Sequence, residues 1–168
     1  IPIVLLFAWF GGWMAFVAVA VVMAVGMYEF HFMLRHAGYQ PLFLVSLGLG
    51  GLFLIAAMFP AHQLLILELG ISVLLMLSFC WFFFRRELSG SITDWAFTLA
   101  SALYVGWPTS SFLLVRGAIP CRLSPLTIPP GAWWLLTTLL GVWGFDAAAF
   151  FAGRYFGRHK LAPTISPA

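Results

Sequence analysis

The sequence predicts an all-α fold: a polytopic integral membrane helix bundle of about six spans, the first of them truncated, forming one transmembrane region over residues 1–168. Three observations predict it. The chain is 63% hydrophobic and 8% charged, against about 25% charged in soluble domains. Its 8 Lys plus Arg and 5 Asp plus Glu could not cover the roughly 30% of unfolded-chain surface that a soluble domain of this size leaves in water. Finally, its apolar runs approach the roughly 20 residues that cross a hydrocarbon core of about 30 Å, and charges or helix breakers bound them.

Ile1 to Tyr28 is apolar throughout, and Gly11-Gly12 offers a turn that divides it. The first span therefore ends before Gly11, and the second runs from Trp13 to about Phe32. The ten residues from Ile1 to Phe10 lack the basic start of a signal peptide, so they read as a clipped first helix. Later spans run from Pro41 to Phe59, His62 to Phe84, Trp95 to Val115, and Gly131 to Ala152. Gly48, Gly50 and Gly51 lie within an apolar span and lack the strand-to-helix setting of a nucleotide loop, so they predict close helix packing. Pro108 interrupts the fifth span and frees the carbonyl of Tyr104; Thr109, Ser110 and Ser111 stand ready to bond local backbone. A kink is expected there, with a cavity-lining break as the alternative.

Threading these spans back and forth puts Arg35, Arg85, Arg86, Arg154, Arg158 and Lys160 on one side, and Arg116 and Arg122 on the other. The positive-inside rule makes the richer side cytoplasmic. The net charge of +3 is too small and dispersed for nucleic-acid binding. Cys80 in an apolar run and Cys121 in a loop give neither a disulfide framework nor a metal spacing, and none of the four histidines is spaced as a metal ligand. Each histidine is expected at the membrane interface.

A carboxylate near a span centre costs about 2.5 to 3.5 kcal/mol on insertion scales, so each acid needs a reason. Glu29, Glu87 and Asp94 fall at span ends, where water solvates them. Glu68 pairs with His62 or lines a polar crevice. Asp146 is the informative one, about 10 Å inside the cytoplasmic end of its span. At 100° per residue it shares a face with Val142, Ala149, Phe150, Gly153 and, if the helix continues, Gly157. From position alone, a functional carboxylate and a structural buried pair are both open. The basic stretch from Gly153 to Lys160 is open too: a lipid-headgroup anchor, or a phosphate site with Arg154 and Arg158 on one helical face and Lys160 beyond.

The run from Trp143 to Pro167, with Asp146 followed by small and aromatic residues, Gly153-Arg154, the element Phe156-Gly157-Arg158-His159-Lys160-Leu161-Ala162-Pro163 and then Ile165-Ser166-Pro167, strongly resembles the phosphatidate cytidylyltransferases. Looser likenesses are Ile1-Pro2, Glu29-Phe30, and Asp94 to Gly106 with Thr98-Leu99 and Tyr104-Val105-Gly106. The resemblance implies a Mg²⁺-dependent membrane enzyme that makes CDP-diacylglycerol and pyrophosphate from CTP and phosphatidate. It implies that Asp146 holds Mg²⁺ or a group of the polar cavity. It places Arg154, Arg158, His159 and Lys160 at phosphates, with Lys160 beside Asp146 in catalysis, and Ser166 at the nucleotide. Phe150 stands where many members have tyrosine, and Ala147-Ala148 where Thr or Ser and Gly are common.

The resemblance implies that the family's most diagnostic signature, with its main metal-binding carboxylates, would come after Ala168. The expectation is therefore that residues 1–168 alone are inactive. The implied partners are CTP, phosphatidate and the lipid bilayer, with a homo-oligomer open and no nucleic acid. The implied location is a bacterial inner membrane with the active side cytoplasmic. A small transporter subunit, marked by Asp146 and Glu68, and a non-catalytic membrane scaffold are the competing readings.

Overall fold

The computed structural model describes residues 11–83, 90–117 and 130–157. Helices α1 (Gly12–His36), α2 (Phe43–Met58) and α3 (Gln63–Phe83) come first, the last two joined by a 3₁₀ turn at Pro60–His62. A composite span follows: α4 (Ser91–Ser101), a π-helical turn (Ala102–Gly106) and α5 (Trp107–Gly117). The final helix, α6, is Pro130–Phe156. There is no strand among the described residues.

Four of these segments, Gly12–His36, Pro60–Phe82, Ser91–Gly117 and Gly131–Tyr155, are long and apolar enough to cross a membrane, and Phe43–Met58 is shorter. At 16 residues, α2 rises only about 24 Å, short of a hydrocarbon core of about 30 Å. The spans expected from Trp13, Pro41, His62, Trp95 and Gly131 thus all appear as helices. The expected first span lies outside the described residues. Leu44 (79% exposed), Phe145 (75%) and Met76 (72%) project outward, an arrangement that lipid rather than water stabilises.

The helix ends are built from local chemistry. Gly38, at φ 91°, closes α1: the Tyr39 N–H donates to Leu34 O and the Gly38 N–H to Arg35 O, each at 3.1 Å. This pair of bonds is a Schellman cap, which calls for a residue in the left-handed region. No side chain of its own caps the start of α2; the donors there are met from α4 instead. Asp94 Oδ1 accepts from the Gln40 N–H at 2.7 Å, and Thr98 Oγ1 accepts from the Leu42 N–H at 2.9 Å. The α1–α2 connection is thereby fastened to a helix more than fifty residues away. Trp95 Nε1–H donates to Ser78 Oγ at 3.0 Å, tying α4 to α3.

Thr98→Val keeps the side-chain shape but leaves the Leu42 N–H without its acceptor. The expected loss is about 1–3 kcal/mol, read as a lower unfolding midpoint in detergent micelles. Thr98→Ser, which keeps the hydroxyl, should retain most of the stability; equal midpoints for the two variants would remove the cap from the account.

The core lies where α1, α2 and the composite span meet. Met23, Met27, Leu49, Phe53, Leu54, Ala57, Ala102 and Leu113 are buried together. Of the three glycines expected to permit close packing, Gly50 does so: a Cβ there would press on Met27 and Met23, whereas Gly48 and Gly51 face open space. Pro108 produces more than a bend. The turn before it is widened to a π-helix, with the Trp107 N–H reaching back to Ala102 O, because a proline has no N–H to continue the regular ladder. Thr109 Oγ1 donates to Val105 O at 2.6 Å, and Ser110 Oγ to Trp107 O at 2.8 Å, so the hydroxyls do bond the local backbone as expected.

The two ends of the bundle are distinct. The Arg116 guanidinium lies against Gly11 at one end, and Gly131 begins α6 against the Arg116 carbonyl. Gln40 meets Asp94 at the other end. These contacts match the back-and-forth threading expected from the charges.

Candidate functional site

Helix α6 starts well packed and finishes bare. Gly131, Ala132 and Leu135 are buried against the bundle, and α5 is its main neighbour. From Gly144 through Tyr155 every residue is exposed. With 27 residues the helix is about 40 Å long, and its second half extends without a protein neighbour among the described residues.

Asp146 stands on that bare half. The helix does continue as the shared face required: it runs to Phe156, and the Gly157 N–H still donates to Gly153 O at 3.0 Å. Asp146, Ala149, Phe150 and Gly153 therefore lie on one stripe. A Cβ at Gly153, on the same stripe, would meet nothing within 4 Å, which leaves room for a polar ligand on the carboxylate's face. The structural buried pair considered for Asp146 is not formed among the described residues. Arg154, in the last turn of α6, is likewise exposed. It lies about 12 Å along the axis from Asp146 and about 80° around it, and its charge suits the negative end of the helix dipole. Arg158, His159, Lys160 and Ser166 lie outside the described residues.

No group of three or more His, Cys, Asp or Glu residues that could hold a metal occurs among the described residues. Mg²⁺ commonly takes one or two carboxylates and fills its other positions with phosphate oxygens and water. Asp146, exposed with open space beside it, fits the part of one such carboxylate. Glu68 is exposed on α3, where Ser72 Oγ donates to its backbone carbonyl at 2.6 Å. Cys80 is a free, exposed thiol on the same helix.

Sequence reasoning missed a second polar centre. His31 is buried within the protein, at 2% exposed, because the face of α1 that carries it packs on both α2 and α4. Its Nδ1 lies 2.9 Å from Met27 O and 3.3 Å from Ser101 Oγ. Its Nε2 lies 3.2 Å from Ser46 Oγ, which in turn stands 2.7 Å from Thr98 O. Ser46, Thr98 and Ser101 are all buried. The available signal was four polar residues within otherwise apolar spans, two of them inside the Asp94 to Gly106 likeness. Near this centre, at the Asp94 end of the bundle, a cavity of about 460 Å³ is lined by Arg35 and residues 38–42.

The model of the cytidylyltransferase family matches residues 1–168. The chain belongs to this family. Among its relatives, the phosphatidate cytidylyltransferase of Haemophilus influenzae is 44% identical over 55 residues, which are 32% of this chain and 19% of the relative. That of Chlamydia pneumoniae is 35% identical over 83 residues, 49% of this chain and 26% of the relative. That of Staphylococcus haemolyticus is 36% identical over 77 residues, 46% of this chain and 25% of the relative. The matched stretches thus span a quarter or less of most of these relatives' own length. No solved structure matches. Family membership fits a membrane helix bundle in which Asp146 and Arg154 sit late in an exposed helix, and the transporter and scaffold readings gain nothing from it.

Proposed function

We propose that the chain works in a membrane phosphatidate cytidylyltransferase, which joins CTP to phosphatidate and releases pyrophosphate. The observation that carries this reading is the whole-chain family match together with a carboxylate and a cation on one exposed, lipid-depth helix. In the reaction an oxygen of the phosphatidate phosphate attacks the α-phosphorus of CTP. A new phosphoanhydride bond forms as the bond from the α-phosphorus to the bridging oxygen breaks, and pyrophosphate leaves with that electron pair. The attacking oxygen is already anionic, so no strong general base is required. The task is to bring two polyanions together and to neutralise charge.

Arg154 is suited to the first part, since its planar fork matches phosphate oxygens and it stands at the end of α6. Arg158, His159 and Lys160 extend that cationic run in the sequence, and Ser166 is assigned to the nucleotide. Asp146 offers one carboxylate to Mg²⁺, which when bound supplies charge neutralisation on the triphosphate. We assign the protein to a bacterial inner membrane, with this basic end of the bundle in the cytoplasm, on the positive-inside bias of its Arg and Lys residues.

The test is to assay the product of the gene, purified in detergent and mixed with phosphatidate, CTP and Mg²⁺. CDP-diacylglycerol and pyrophosphate should appear in equal amounts and cease when EDTA removes the metal. A preparation that stays folded yet makes neither product would sink the reading.

A further inference from the structure

The α1–α2 connection spends its backbone donors and leaves its side-chain donors free. The Gly38 and Tyr39 N–H groups close α1, Asp94 holds the Gln40 N–H, and Thr98 holds the Leu42 N–H; Pro41 has none to give. Arg35, Tyr39 and Gln40 are exposed, and no hydrogen bond or ion pair to another described residue engages the guanidinium, the hydroxyl or the side-chain amide. These three line the cavity of about 460 Å³, and Pro41 and Leu42 give it an apolar part. Its volume falls within the roughly 300–1,000 Å³ of small-molecule sites. No acid among the described residues lines it, so its one formal charge is that of Arg35.

Toward the bilayer from this cavity, α1 carries a ladder of rings. Tyr28 and Phe32 stack with centroids 6.5 Å apart, Phe32 meets His36 at 4.2 Å, and Phe43 of α2 stands edge-on to Tyr28 at 6.4 Å. His36 Nδ1–H donates to Phe32 O at 2.9 Å, which sets its ring beside Phe32. Tyr28 and Phe32 are exposed. At 100° per residue they lie within about 60° of Arg35 around the helix, and about 10 and 4.5 Å from it along the axis. Because the apolar span ends at His36, Arg35 falls at the water boundary and the two rings fall at acyl-chain depth.

We propose that this surface binds one anionic phospholipid, with its phosphate on Arg35 in the cavity and an acyl chain along Phe32 and Tyr28. The planar fork of Arg35 matches two phosphate oxygens, and Tyr39 and Gln40 add neutral donors. Tyr39 is steadied for this by Phe97 of α4, its ring centroid 4.6 Å away. Two other occupants fit less well. A free phosphate gains nothing from the rings, and a zwitterionic headgroup brings an ammonium for which the lining offers no carboxylate. The site belongs to α1 and its connection, whereas Asp146 and Arg154 stand on α6, whose main neighbour is α5. It is therefore independent of whether the protein transfers cytidylyl groups.

The test titrates the product of the gene, purified and stripped of lipid in detergent, with phosphatidylglycerol or phosphatidylcholine and counts bound lipid by native mass spectrometry. Phosphatidylglycerol should bind the more tightly. Arg35→Gln should weaken it by about tenfold, the scale of one hydrogen-bonded charge contact, and leave phosphatidylcholine unchanged. Phe32→Ala should weaken phosphatidylglycerol with Arg35 in place. Location is read on the unsubstituted protein, using phosphatidylglycerol with a photoreactive diazirine in its acyl chain. Adducts should centre on residues 28–43 and vanish with excess unlabelled phosphatidylglycerol, yet persist with excess inorganic phosphate. Equal binding of phosphatidylglycerol by the Arg35→Gln protein, phosphatidylcholine held as firmly as phosphatidylglycerol, or adducts only elsewhere would overturn the site. Displacement by inorganic phosphate would overturn it too, in favour of a site for the free anion.

Discussion

Asp146→Asn in the product of the gene is expected to lower CDP-diacylglycerol synthesis by about a hundredfold, the scale of losing one charge-stabilising group at a phosphoryl or acyl transfer site, while the protein still inserts and folds. Asp146 lacks a structural partner among the described residues. It is exposed on the bare half of α6, and no hydrogen bond or ion pair to another described residue holds it. A carboxylate at membrane depth is costly, by up to about 3.5 kcal/mol at a helix centre, and here no structural partner among the described residues offsets that cost. Asparagine keeps the shape and removes the charge, so insertion becomes easier and only an interaction that needs the anion is lost. Turnover is measured with CTP and phosphatidate, and insertion by recovery of the folded protein from membranes. Full activity in the variant would remove Asp146 from the mechanism; loss of both activity and insertion would return it to a structural role.

The helices were legible because lipid imposes a length. A run such as Gln63–Phe83 can be little other than a helix when it is apolar, about 30 Å long by its rise and bounded by breakers. The face each helix turns inward was much less legible. In Gly131–Phe156 apolar residues surround the axis, so periodicity cannot choose a buried side, and the neighbours decide it. The π turn at Ala102–Gly106 makes this worse, since one additional residue in a turn rotates everything after it by about 100°. The buried face of Trp107–Gly117, with Ser110 and Leu113 inside, follows from that rotation.

The candidate sites divide in the same way. Asp146 and Arg154 could be placed on one helix because both belong to one continuous run, and local geometry suffices. The His31 centre could not be assembled, since its partners Ser46, Thr98 and Ser101 lie 15 to 70 residues away and nothing in the spacing says that they meet. A serine or threonine within an apolar helix also has a bland explanation, the bond to its own carbonyl four residues back, which Ser72 and Thr138 do make. Thr98 makes that bond too, to Asp94 O at 2.7 Å, yet it also accepts from the Leu42 N–H of the α1–α2 connection. Its second role shows only in three dimensions.

Met27 joins the packing to the polar centre, and this sets the largest expected effect on stability. Its backbone carbonyl accepts from His31, and its methyl end is wedged between Gly50 of α2 and Gly106 of the π turn. The two glycines do not tolerate a side chain equally. A Cβ at Gly50 would meet Met27 Cε at 2.5 Å and Met23 Sδ at 2.9 Å, both near the free ends of flexible side chains. A Cβ at Gly106 would meet the Gly50 Cα at 3.0 Å as well as Met27 Cε at 2.9 Å, and the Cα cannot move without its helix. Gly106→Val is therefore expected to destabilise the bundle by about 3 kcal/mol, the upper end of overpacking costs, and to push α2 away from the composite span. Gly50→Ala should stay within about 1 kcal/mol of the parent, because the methionines re-rotamer and a helical alanine recovers about 1 kcal/mol of propensity. Gly48→Ala and Gly51→Ala, each facing open space, serve as controls and should not lose stability. Unfolding midpoints in one detergent rank the set. If Gly106→Val proves no worse than Gly50→Ala, the close approach of α2 to the π turn is not what holds the core together.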